Sequence, residues 1–169
     1  ARRLYKRQEL LQQHYLPEYV NNLIGGTLDR QAMRRIGFPW SEQLIQRSLT
    51  AVGGTIRTAE LALQHGIALN LTGGYHHAAA DFGSGFCLFN DLYLAARRML
   101  QSSEIDRVLI VDLDVHQGDG TALLAQHDDS VITLSLHGEK NFPHRKQQSD
   151  MDFSLPKGTT DEDYLNVVD

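Results

Sequence analysis

The sequence predicts an α/β fold, with a mostly parallel sheet between helical layers in a three-layer α/β/α arrangement. Three observations carry this. Helix-length amphipathic text alternates with short apolar runs along the chain, the pattern of right-handed βαβ crossovers. The run Val108-Leu-Ile-Val-Asp112 is apolar and β-branched, as an interior strand buried on both faces requires. The 169 residues, 41% hydrophobic and 22% charged, lie in the range of an ordinary single domain, or part of one.

Taken in order, helices are expected near 3–15, 41–48 and 51–65, the last closed by Gly66 as a glycine cap. Gly53 and Gly54 weaken the start of that third helix and allow close packing there. Residues 67–71, Ile-Ala-Leu-Asn-Leu, read as a strand that runs through Gly73-Gly74 into a loop bearing Tyr75-His76-His77. Asn90 or Asp91 caps a helix reaching Leu100. A strand at 107–113 leads to a short helix near 119–126, and 131–136 is a further strand. The stretch to about Asp150 is long, polar and irregular, and Thr160-Asp-Glu-Asp163 is a helix-start pattern that makes Tyr164 a helical residue. Internal repeats and Pro-rich linkers are absent from the sequence.

Composition narrows the partners. A formal charge of -5 argues against nucleic-acid binding, which needs a basic face. The cluster Arg2, Arg3, Lys6 and Arg7 reads as a solvated helix face. No apolar run approaches the roughly 20 residues of a membrane span, no cleavable signal precedes the first helix, and a single cysteine excludes an intrachain disulfide. The expected location is cytoplasmic.

The chemistry concentrates at two strand ends. Alternate side chains of a strand share a face, so Asp112, Asp114 and His116 project together where the strand of 107–113 ends, and Gly118 and Gly120 let the chain turn sharply. A carboxylate and an imidazole spaced by two suit zinc, whose catalytic sites use three protein ligands and a water. The competing reading is an Asp that merely caps the next helix. The pair His76-His77 adds imidazoles at a second junction, and its glycine-rich loop must curl for both to reach one site. Asp112 and Asp119 are the carboxylates available to tune them.

GGYHHAAADFGSGFCLFND at 73–91 and VDLDVHQGDGTA at 111–122 resemble the zinc-dependent histone deacetylase family, of the arginase–deacetylase fold. The segments 36–41, IGFPWS, and 136–143, LHGEKNFP, extend the resemblance toward the bacterial branch nearest the class IV deacetylases. It implies that Asp114 and His116 ligate zinc, that Asp112 holds His76 and Asp119 holds His77, and that His77 is the general base and then the general acid. Gly85, Phe86, Cys87 and Phe142 match positions lining a narrow apolar channel for a lysine stem, with the irregular stretch before Asp150 as its rim. Core packing is the competing reading for Phe86 and Phe142, and a small buried hydrophobe is that for Cys87. A potassium ion is implied as well, held by the Asp112 side chain, the Ser135 hydroxyl and backbone oxygens of Asp112, Asp114, His116 and Leu136.

The resemblance departs from the family in two places. The family's third zinc ligand, an Asp, and its transition-state tyrosine have no match here. Asp150, Asp152 and Asp169 lack the ligand's sequence context, and the family's opening strand is missing, so the chain is expected to be an interior part of one deacetylase catalytic domain spanning 1–169, and to be inactive alone. The implied activity is zinc-dependent hydrolysis of an acetyl or related acyl group from a lysine side chain or lysine-like amine. Acetylpolyamine hydrolysis and an acyl-amine binding module without catalysis are the alternatives. A binuclear manganese ureohydrolase is disfavoured by His76-His77 and Gly85-Phe86-Cys87, and a pure binder by two carboxylate-supported bases.

Overall fold

The computed structural model describes residues 10–169. Helical residues 10–14 (α1) lead into α2 (Pro17–Gly25), α3 (Arg30–Ile36) and α4 (Glu42–His65). Then follow α5 (Asp91–Met99), β1 (Val108–Asp112), α6 (Asp119–Ala125), β2 (Val131–Gly138), β3 (Met151–Leu155) and α7 (Asp161–Val168). The expected helix at 3–15 falls partly outside the described residues, as does the basic cluster at its start.

The three strands form one parallel sheet in the order β1-β2-β3, with Asp112 registered against Ser135 and Leu136 against Phe153. The α/β class predicted from the alternation is therefore the class observed. Tyr93 and Ala96 of α5 and Ala125 of α6 bury Ile110 and Val131 on one face of the sheet. On the opposite face Leu109, Val111, Met151 and Phe153 stand exposed among the described residues. A second core joins α1, α2 and α4 to Leu88, Phe89 and Leu94, with Leu11, Leu23 and Leu94 fully buried.

Several element boundaries match their signals. Asn90 caps α5, its side chain accepting from the Tyr93 amide at 3.0 Å. Thr160 and Asp163 form a reciprocal capping box at α7. Gly66, at φ 86°, closes α4.

Three readings need correction. Residues 67–71 form no strand: Ile67, Leu69 and Leu71 are 77%, 85% and 98% exposed, and a strand requires a ladder partner that no described residue supplies. The helices expected at 41–48 and 51–65 are one helix, because Ser41 caps it and the Gly53-Gly54 pair costs less than the packing of α4 on α5 returns. Close approach does not require glycine at Gly54, where a β-carbon would meet Asn70 Nδ2 at an ordinary 3.7 Å. The helices α2 and α3 and the strand β3 were not anticipated, although Pro17 opens α2 and Asp29 caps α3, accepting from the Gln31 and Ala32 amides at 2.7 and 2.8 Å.

Candidate functional site

The site lies where β1 ends, against the loop between α4 and α5. Both glycines ahead of the histidines have positive φ, 129° at Gly73 and 78° at Gly74, a region only glycine enters cheaply. The chain then turns at His76-His77, and the curl required to aim adjacent side chains into one place is present: the two rings lie 4.1 Å apart between centroids. Thr121 locks this turn from α6, its amide donating to the His76 carbonyl at 3.0 Å.

Each imidazole has its own carboxylate. His76 Nδ1 is 2.5 Å from Asp112 Oδ2, and His77 Nδ1 is 2.7 Å from Asp119 Oδ1. All four residues are buried. Ionised carboxylates only accept, so Nδ1 carries the proton on each ring and Nε2 keeps a free lone pair while the ring is neutral. Burial pulls the His76 pKa down, but the bond to Asp112 and the charges of Asp112, Asp114 and Asp119 outweigh it and leave the ring above its ordinary value.

Asp114 and His116 sit beside these pairs at the solvent edge, their side chains 51% and 42% exposed. His116 Nδ1 lies 3.0 Å from Asp114 Oδ1, and His76 Nε2 lies 4.0 Å from the same oxygen. Burial raises the Asp114 pKa, yet the His116 amide and the positive charge of His76 and His116 hold it below the usual carboxylate range. Two ligands sharing a tetrahedral zinc stand roughly 3–3.5 Å apart, so this oxygen–nitrogen separation fits two positions of such an ion. Among the described residues no group of three or more His, Cys, Asp or Glu side chains is placed to hold a metal ion. Asp150 and Asp152 are occupied elsewhere: Asp150 accepts from the Thr133 amide and hydroxyl at 2.8 and 2.9 Å, and Asp152 accepts from Gln117 and the Ser149 amide.

The sharp turn expected here is present at Gly118, whose φ of -73° and ψ of 65° let the Asp119 amide donate to the Gln117 carbonyl at 2.9 Å, whereas Gly120 lies within α6. Both positions also let two stretches of the chain touch: a β-carbon on Gly118 would collide with the Asp112 carboxylate, and one on Gly120 would lie 2.5 Å from the His77 carbonyl carbon.

The residues expected to line a channel divide into two groups. Phe142 packs edge-on against His77 with centroids 4.9 Å apart, and 6.2 Å from His116. Phe86 has φ 67°, is 59% exposed, and leans on Phe38 at 5.0 Å and on the Gly37 backbone. Cys87 is buried, its thiol 3.5 Å from the Gly85 carbonyl and its pKa pushed up to about 12 by burial, which rules out a resting thiolate. Behind β1, the Ser135 hydroxyl meets His137 Nδ1 at 3.0 Å and Leu136 is buried.

Sequence reasoning missed the residues holding the rim. Gln117, 1% exposed, donates to the Gln147 carbonyl and accepts from its amide, both at 2.8 Å. Lys146 donates to the carbonyls of Asn141 and Pro143, so Phe142 hangs from a braced loop. A glutamine inside a metal-strand motif was the available signal.

The family model described as the histone deacetylase domain matches residues 1–169. The chain belongs to the histone deacetylase family. An uncharacterized protein of Picosynechococcus sp. is 56% identical over 152 residues, covering 90% of this chain and 51% of the relative. Histone deacetylase 2 of Arabidopsis thaliana is 37% identical over 121 residues, 70% of this chain and 31% of its own length. A probable deacetylase of Archaeoglobus fulgidus is 30% identical over 159 residues, 86% and 42% of the two chains. This histone deacetylase family chain therefore spans about half, or less, of the relatives it matches. No helix among its described residues is long and apolar enough to cross a membrane.

Proposed function

We propose that residues 1–169 are part of one deacetylase catalytic domain, which hydrolyses an acetyl or related acyl group from a lysine side chain or lysine-like amine with the help of zinc. The observation that carries the reading is the pair of buried His–Asp couples, at 2.5 and 2.7 Å, set beside the open Asp114 and His116.

Asp114 and His116 would hold the zinc as two of its ligands, and a third would have to come from outside the described residues. Bound there, zinc would polarise the acyl carbonyl and acidify the attacking water. The chain's own residues handle the protons. Asp119 fixes the His77 tautomer, so His77 Nε2 accepts the proton of water as its oxygen bonds to the acyl carbon. The same nitrogen returns that proton to the amine as the carbon–nitrogen bond breaks, leaving acetate and free amine. His76, held by Asp112 and charged more readily than an ordinary imidazole, adds positive potential beside the developing oxyanion. Phe86, Phe142, Gly85 and Cys87 line the entry for the apolar stem, which gains about 25 cal/mol per Å² of apolar surface removed from water. A potassium ion held by Asp112, Ser135 and nearby carbonyls, including those of Asp114, His116 and Leu136, fits the Asp112–Ser135 register and would stiffen the strand ends.

The test is acetate release from an N-acetyl-lysine peptide by the zinc-loaded complete protein, beside its His77→Ala variant. Release by the first and not the second supports the reading. No release from lysine peptides, with release from acetylated polyamines, moves the substrate class; tight binding without turnover in either protein leaves a binding module.

A further inference from the structure

A fully buried carboxylate sits behind the histidine loop and takes no part in the chemistry above. Asp91, the first residue of α5, is 0% exposed. Its Oδ1 accepts from the Tyr75 amide at 2.8 Å, and its Oδ2 accepts from the Gly74 amide at 3.2 Å and from the Thr55 hydroxyl. Asn70 Nδ2 in turn donates to Thr55 Oγ1 at 2.9 Å, which leaves the hydroxyl proton for Asp91. A β-carbon on Gly73 would lie 2.5 Å from Asp91 Oδ2 and 2.8 Å from Thr55 Oγ1, so the backbone is drawn as close to this carboxylate as glycine permits.

Asn90 grips the same loop from its other end. Its side-chain nitrogen donates to Thr121 Oγ1 at 2.8 Å and to the Ala78 carbonyl at 3.5 Å, and the Thr121 amide holds the His76 carbonyl. The chain before the histidine pair is thus fastened to α4 and α5 through Asp91, and the chain after it to α5 and α6 through Asn90.

We propose that Asp91 is a positioning residue: it sets the placement of the His76-His77 turn against Asp112 and Asp119 by accepting the amides of Gly74 and Tyr75. This deepens the deacetylase reading and rests on it for its catalytic consequence. The geometry explains why a carboxylate stands there. Asparagine offers one acceptor and one NH2 group. With NH2 in the Oδ1 place it faces the Tyr75 N–H; in the Oδ2 place it faces the Gly74 N–H and the Thr55 hydroxyl. Either way a donor meets a donor, and the loop shifts to relieve it. A displacement near 1 Å at a reacting group costs on the order of 100-fold in rate.

The experiment compares the complete zinc-loaded protein with its Asp91→Asn, Thr55→Val and Thr58→Val variants. Two readouts are taken: kcat and KM for an N-acetyl-lysine peptide, and the downfield proton resonances of the His76 and His77 Nδ1–H groups. Asp91→Asn is expected to lower kcat at least tenfold with KM within twofold, and to move or broaden both resonances. Thr55→Val, which withdraws one donor from the carboxylate, is expected to lower kcat about threefold with smaller resonance shifts. Thr58, whose hydroxyl donates to the Gly54 carbonyl one turn back along α4, is the control and leaves both unchanged. Resonances that stay in place in folded Asp91→Asn overturn the proposal, whatever happens to its melting temperature. If that variant does not fold, Thr55→Val decides by the same resonances. Should the unaltered protein release no acetate, the deacetylase reading fails while the resonances still judge Asp91.

Discussion

Gly85 presses against His77 so closely that a β-carbon there would lie 2.5 Å from the imidazole Cδ2 and 3.2 Å from the Phe142 ring. Its φ of 52° lies in the left-handed region as well. Two independent constraints, shape and backbone, therefore demand glycine beside the proposed base.

Gly85→Ala is accordingly expected to cost about 1–2 kcal/mol in stability from the left-handed backbone alone. The displaced ring should lower kcat by on the order of 100-fold. Urea unfolding and steady-state kinetics measure the two effects separately; full activity in the variant would mean His77 is not the group that moves the proton.

His77→Ala removes the proposed base while Asp114 and His116 remain. Turnover should fall about 1,000-fold, within the range of general acid–base catalysis, with zinc content unchanged. His76→Ala should lose less, because its assigned part is electrostatic. Metal analysis beside single-turnover rates checks both, and equal losses would sink the division of roles.

Asp128 lets acid stability be examined away from the site. Burial raises its pKa, but bonds from the Ser130 hydroxyl and amide and the charge of Arg97, 2.6 Å away, bring it below the usual carboxylate value. A depressed folded pKa stabilises above the unfolded value of about 3.9 and loses that contribution as pH falls through the folded one. Asp128→Asn should thus be about 1 kcal/mol less stable at pH 7, with the deficit shrinking as pH falls below about 3.9 and gone only below the folded pKa. A deficit as large at pH 3 as at pH 7, by urea titration, would assign the loss to packing instead.

Ion dependence tests the proposed zinc and potassium. Chelation should abolish turnover and zinc restore it, with Asp114→Ala binding less zinc than the parent. Exchanging sodium for potassium at equal ionic strength should raise the melting temperature, and Ser135→Ala should shrink that rise. An identical response to both salts would remove potassium from the account.

The residues that the structure brings together here could be picked out because each belongs to a contiguous motif: the end of β1 with its spaced carboxylates, and a glycine-bearing loop with adjacent histidines. The partners of the histidines were legible as well, and the structure brings His76 to Asp112 and His77 to Asp119. What failed was neighbour-dependent. Residues 67–71 have a strand's composition, but among the described residues none pairs with them as a ladder partner. The single helix α4 hid behind Gly53-Gly54, because local propensity cannot see α5 packed across it. The role of Gly120 was also misjudged, since close approach to His77 is a property of the folded pair and not of either segment.

The histidines and their carboxylates are separated by 36 and 42 residues, with all of α5 and β1 between them. Neither couple forms until the chain through α5 and β1 has folded back on the histidine loop, and contacts between residues so far apart in sequence close slowly. A nascent or half-folded chain consequently carries imidazoles with no tuned partners. The proposed hydrolysis would thus start only with completed folding, a checkpoint set by the chain's own connectivity.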